Sequence, residues 1–457
     1  NNSTLRYTGS GDTTDRLFTL ETGVTFIESS GTGAIVFENT AAVTLSGSGA
    51  RTVGLGGTNT DLNTLGGTIA DGTGGATTLA KNGAGTWVLT GDNTYSGNTV
   101  INDGNLIVGN GGESGNVGTG NVIVDSSTST LSLNRSDTFT LDGTLSGPGR
   151  LAQIGTGTSI LTSADNRIGA TTIGDGTLQV DGGLETQTIA MTGTSELDVN
   201  GIVQAAGGVP TTITGDDGAS SIAVNGDGIL RADGDLGGGS DLVVLSGTLD
   251  TGTGTLSLGG GDDTLVLNDG AVIGGAGIDA GDGTDLLQVN NADALSLDGA
   301  SVGGFESLEK LNTGILTLTG DHAYTDGTTI SAGTLQIGDG GTSGSLASDV
   351  LNNATLAFNR SDTYTFDGLI SGSGGVGQVG TGTTIMTGDN TYAGETVVQS
   401  GTLVIEGDQS GATGLTSVES GAVLGGTGII GGSVIVADGG AISPGAAEGQ
   451  AGTLTIN

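Results

Sequence analysis

The 457 residues contain no cysteine, 3 prolines, 1 histidine and 1 tryptophan. Without cysteine there is no thiol nucleophile, no thiolate metal site and no disulfide. Aromatic volume is small, with 7 Phe and 5 Tyr beside the lone Trp, which argues against the several compact cores expected from length alone. Lys and Arg total 10 against 49 Asp and Glu, a formal net charge of −39. Phosphate backbones and anionic membranes are recognised by basic patches, so nucleic acid is disfavoured as a partner, whereas divalent cations would be attracted. No apolar run approaches the roughly 20 residues of a membrane-spanning helix, and the polar opening "NNSTLRYTGSG" is unlike a secretion signal.

What the chain has is glycine, 95 residues of it, among many Ser, Thr, Asn and Asp. Such a composition also suits disorder. The patterning argues otherwise: "TLSLN", "TLQVD", "TLSLG", "TLVLND", "TLQIGD" and "TLVIEGD" alternate apolar and polar residues and stop at Gly, Asn or Asp. These are short strands closed by turns.

The phrases are also reused. "NRSDTFTLDG" at 134–143 returns as "NRSDTYTFDG" at 359–368, and residues 85–109 and 155–180 align with 314–338 and 380–405. One block, 81–180, therefore has a second copy at 310–405, and each holds two versions of a smaller unit, G-x-x-x-L-T-G-D-N-x-Y-x-G-x-T-x-I-x-x-G-T-L-x-V. In the first version Trp87 and Leu89 are expected on one side, Thr90 to Asn93 in a turn, Tyr95 at the corner and Gly97 in a second turn. Val100, Leu106 and Val108 are expected inside. Gly and Asn suit corners because they accept left-handed backbone angles.

A short strand with one apolar face is unstable alone, but stacked rungs bury a continuous core. The sequence predicts an all-β, right-handed parallel β-helix, a solenoid of about 20–25 residues per rung with almost no helix. At about 4.8 Å per rung it would form an elongated rod on the order of 100 Å long.

The repeated unit resembles the passenger-associated strand repeat of autotransporters, the type V secreted proteins of Gram-negative bacteria, with four copies between about 81 and 405. "GGFESLEKLNTGILTLTG" at 303–320 and the C-terminal passenger segment at 421–457 are similar to passages of the same proteins. The resemblance implies a single β-helical passenger over 1–457, displayed at the cell surface or secreted, whose outer-membrane barrel would follow this chain. The only expected membrane contact is through that barrel. Because the sequence opens in mid-pattern, targeting segments are expected outside it, with flanking segments capping the open strand edges.

Few residues suggest chemistry. A Ser-His-Asp nucleophile needs histidine, and His322 stands where the sister copies have Asn93 and Asn390, so it is read as a turn substituent. No catalytic or cofactor-binding residue is assigned, and an enzyme is not expected. Arg135 and Arg360 precede Ser and Asp in the repeated phrase and are expected to pair with those aspartates. The acidic Gly/Asp-rich segment 235–290, within the solenoid, resembles the Ca²⁺-binding nonapeptide of β-roll toxins. That resemblance offers Asp262, Asp263, Asp279, Asp282 and Asp285 as candidate ligands of a structural Ca²⁺, but their irregular spacing favours plain acidic turns.

A structural function follows: an adhesin or self-association module, acting in autoaggregation or biofilm through polar ladders. Its partners would be copies of itself on neighbouring cells, or host-surface and matrix ligands. The alternative is a passive stalk presenting an enzyme or toxin domain that lies N-terminal to this chain.

Overall fold

The computed structural model describes residues 2–446 and 450–457; Asn1 and positions 447–449 of the 421–457 segment lie outside the described residues. The chain divides into two compact units, one formed by Asn1–Gly239 with Gly247–Leu256 and the other by Ser240–Ser246 with Ser257–Asn457. Each is a parallel β-solenoid of short strands. Among the described residues the one helical segment is a 3₁₀ turn at Gly299–Ser301, and strands Ala441–Ala446 and Gln450–Ala451 pair antiparallel.

In the first unit, alternation places every second side chain inside. Trp87 of strand Thr86–Leu89 lies in register with Leu106, then Leu131, then Leu151, while Leu89, Val108, Leu133 and Gln153 form the adjacent column. All eight are buried. Each leucine enclosed this way contributes about 1.5–3 kcal/mol. The Trp87 indole N–H donates to the Gly56 carbonyl at 2.9 Å, so its polar edge is also satisfied.

The second unit repeats the scheme with its own columns. Leu265, Leu287 and Leu308 stack in one wall, and Leu316, Leu335, Leu356 and Val376 in another. Phe358 sits in register between Ile337 and Gln378, with its ring 5.5 Å from that of Phe366.

Two local expectations are corrected. Val100 points outward, and its neighbours Thr99 and Ile101 are the buried pair. Among the described residues no residue other than glycine has a positive φ, so the corner asparagines keep ordinary backbone angles. Gly97 is required for another reason: a Cβ there would lie 2.3 Å from the Thr77 carbonyl oxygen of the preceding rung. Gly104 does need the left-handed region, at φ 72°.

Candidate functional site

The repeated phrase folds into a guanidinium staple. Arg135 donates from Nε and Nη2 to the two carboxylate oxygens of Asp137, both at 2.7 Å. Its remaining donors reach back to the loop of the preceding rung, Nη1 to Gly115 O at 2.7 Å and Nη2 to Glu113 O at 2.5 Å. Arg360 does the same, pairing with Asp362 at 2.9 and 2.8 Å and donating to the carbonyls of Gly344 and Thr342. Each guanidinium also lies over an aromatic ring two residues past its aspartate, Phe139 at 5.6 Å or Tyr364 at 5.1 Å. The Phe-to-Tyr exchange within the phrase leaves this stacking intact. Hydrogen bonding from the arginine holds the carboxyls of Asp137 and Asp362 below the usual aspartate range.

The corner before each Tyr is an inward-facing polar plug. Asn93 accepts from Ile69 N–H at 2.8 Å and donates to Gly91 O and Asn116 O; Asn390 accepts from Ile370 N–H at 2.7 Å. The hydroxyls of Tyr95 and Tyr392 lie 2.6 Å from those of Thr99 and Thr396. His322 is part of this plug: it is buried, on the short strand Asp321–Ala323. Its Nε2 contacts the carbonyls of Thr319 at 2.9 Å and Leu297 at 3.3 Å, and Nδ1 lies 3.1 Å from the Tyr324 hydroxyl. An imidazole with Nε2–H donating to the carbonyls and Nδ1 accepting from Tyr324 satisfies all of these contacts while neutral. Burial pushes its pKa down.

A third repeated position is not evident from the motif. Lys81, Gln153, Lys310 and Gln378 all turn inward and are fully enclosed. Lys81 Nζ donates to Gly83 O at 2.6 Å and Asp103 O at 2.8 Å, while Gln153 Nε2 donates to Gly155 O at 2.7 Å and Gly157 O at 3.1 Å. Gln378 and Lys310 plug their own corners in the same way. Burial lowers the Lys81 pKa to about 8. The signal was one aligned position of the four repeat copies that holds only long side chains able to donate, in "KNGAG", "QIGTG", "KLNTG" and "QVGTG".

The acidic segment does not gather its five aspartates. Asp262, Asp279 and Asp282 are exposed, whereas Asp263 and Asp285 face inward. Asp262 accepts from Thr284 N–H at 3.1 Å. Among the described residues no group of three or more His, Asp or Glu side chains is arranged to hold a metal ion.

The outward faces carry polar rows. In the first unit Thr177 donates to Glu196 at 2.8 Å, Asn200 to Asp181 at 2.8 Å, and Asn225 to both Asp198 and Asn200. In the second, Asn290 donates to Asn268 and Asn268 to Ser246, at 3.1 and 3.2 Å, beside a Gln288–Glu309 contact at 3.0 Å. The cations beyond residue 240 are Lys310 and Arg360, one buried and the other paired with Asp362. That outward surface therefore carries carboxylates and neutral polar groups, with scattered apolar side chains such as Val272, Leu351 and Ile435 among them.

Rungs, staples and plugs recurring in this order define a class. A family described as the passenger-associated-transport-repeat matches residues 79–108, 151–180, 308–337 and 378–405, and the chain is autotransporter passenger sequence, which belongs at the Gram-negative cell surface. Over 150 residues, 33% of this chain, it is 57% identical to the "Adhesin BmaC autotransporter" of Brucella suis biovar 1 (strain 1330). The chain spans 4% of the length of that curated relative.

Proposed function

We propose that this chain is an adhesive module of its passenger and that it associates side to side with copies on neighbouring cells, as in autoaggregation and biofilm growth. The supporting observation is the outward row in which each rung presents a hydrogen-bonding side chain in line with the last, as in Ser246–Asn268–Asn290. Rungs recur about every 4.8 Å, so two such rows can engage through many weak contacts that add by multivalency. The relative named as an adhesin supports the same reading. A net charge of −39 opposes docking at low salt. Association should therefore strengthen with Ca²⁺, ionic strength or mild acid, which screen or neutralise carboxylates.

Beads coated with the chain test this directly. They should cluster with one another, more so at 0.5 M than at 0.02 M salt, and beads coated with an equally acidic, unrelated protein should not. Dispersed beads under all conditions would favour host-surface or matrix ligands as partners, or the stalk reading, which the small share of the relative spanned here leaves room for.

A further inference from the structure

The acidic segment contains a column of a different kind from its outward turns. Asp241 N–H donates to Asp263 Oδ1 at 2.7 Å, Asp263 N–H donates to Asp285 Oδ1 at 2.7 Å, and Asp285 N–H donates to Glu306 Oε2 at 2.8 Å. The first two steps each span 22 residues, one rung of the solenoid. Asp263 and Asp285 are 1% and 0% exposed, and the second carboxyl oxygen of each, Oδ2, is buried with no hydrogen-bond partner.

At other places in the solenoid the same inter-rung role is taken by asparagine. Oδ1 of Asn63, Asn93, Asn166 and Asn390 accepts the N–H of Ile35, Ile69, Leu145 and Ile370 on the preceding rung. In Asn63, Asn93 and Asn166 the other atom, Nδ2, donates to backbone carbonyls. An aspartate oxygen in the seat of that amide has a hydrogen to give only when the carboxyl is protonated.

The surrounding charges favour the protonated form. Asp262 acts on Asp263, and Asp263, Glu306 and Asp262 act on Asp285, all of them carboxylates. On the packed strand Ser307–Lys310, Lys310 turns its Nζ to the carbonyls of Leu311 and Asn312, and the acid that acts on it is Asp269. Burial is the largest influence on both aspartates and raises their pKa values.

We propose that Asp263 and Asp285 form a proton-binding column: the folded passenger holds these carboxyls as neutral acids in mildly acidic surroundings, and their ionisation as pH rises loosens residues 241–310. This rests on the solenoid alone and is independent of adhesion. A carboxyl raised in the fold contributes stability that is complete below the ordinary aspartate range and is lost as pH rises through the folded value.

Asp→Asn substitution should mimic the protonated form. Hydrogen-exchange protection factors of the whole 457-residue chain, measured at pH 4.5 and 7.5 in EDTA, would compare wild type with D263N/D285N. D279N/D282N, at exposed aspartates that act on neither carboxyl, removes the same formal charge as a control. The inward pair should raise protection over 241–310 by at least about tenfold at pH 7.5, because it relieves two orphaned buried acceptors, and do little at pH 4.5. The control should leave that segment unchanged. An equal gain in the control would assign the effect to general charge repulsion and overturn the column. So would lowered protection in the inward pair, or a Ca²⁺-induced gain in wild type that the inward pair abolishes. If that pair fails to fold, the infrared band of a protonated carboxyl in wild type, present at a pH where exposed carboxyls are ionised, decides; its absence refutes the proposal.

Discussion

Replacing Arg135 with Met keeps the apolar stem of the side chain but removes all four of its polar contacts. Of the groups left behind, Glu113 is exposed and can be rehydrated, whereas Gly115 is buried. One orphaned buried carbonyl costs about 1–3 kcal/mol, and a hydrogen bond to a charged group contributes about 1.5–3 kcal/mol. Because the side chain of Asp137 is 34% exposed, solvent screening places its pairing at the low end. The local loss is about 3 kcal/mol, or roughly two decades in an opening equilibrium. Solenoids open locally, so a global midpoint would dilute the effect. Hydrogen exchange at two amides reports it instead: Gly111 N–H, bonded to Asn134 O, and Ser136 N–H, bonded to Gly112 O. Protection of both should fall about a hundredfold in R135M, and R360M should do the same to Gly340 and Ser361, whose bonds to Asn359 O and Gly341 O are the counterparts. In a D137A background the further loss should be smaller, since the pair acts as one unit. Unchanged protection in R135M, or full additivity with D137A, would refute the staple.

Three further outcomes are expected. Gly97→Ala should destabilise its rung by several kcal/mol, about the upper range for a point substitution, because the obstacle is backbone; limited proteolysis would show new cleavage near residues 90–100, and an intact, equally resistant chain would contradict the contact. Lys81→Gln should be tolerated, as Gln153 and Gln378 already do this work, whereas Lys81→Met should lose about 2–4 kcal/mol by orphaning the Gly83 and Asp103 carbonyls. Because the Lys81 pKa falls from 10.5 to about 8 on folding, the unfolded chain binds more protons between those values, so stability rises with pH across that window; exchange protection of Asn102 N–H, bonded to Lys81 O, should show the rise in wild type and a flatter profile in Lys81→Gln. His322 is also lowered, so its contribution is present above the ordinary histidine value and is lost as pH falls below it. His322→Asn should flatten that slope in exchange measured over 297–324.

Much of this architecture was legible because strands and turns are local. The alternation in "TLQVD" and the reuse of "NRSDT" were enough to anticipate a stacked solenoid and an Arg–Asp pair. What was not legible lay between rungs. In "NTVIN" both Thr99 and Val100 suit a strand, and only the Tyr95 hydroxyl waiting inside selects Thr99 for the interior. The reason for Gly97 is likewise a carbonyl contributed from the preceding rung. In "GDDT" the two aspartates are chemically identical, yet one step of alternation exposes Asp262 and buries Asp263. The β-roll resemblance grouped them because it reads composition and spacing, and neither records which way a side chain points.

Sedimentation velocity of the purified chain across concentration tests the adhesive claim most directly. Runs at neutral and mildly acid pH, with Ca²⁺ or EDTA, should show reversible formation of dimers or larger species. That population should grow with salt, Ca²⁺ or acid. A strictly monomeric species at every concentration and condition would contradict self-association.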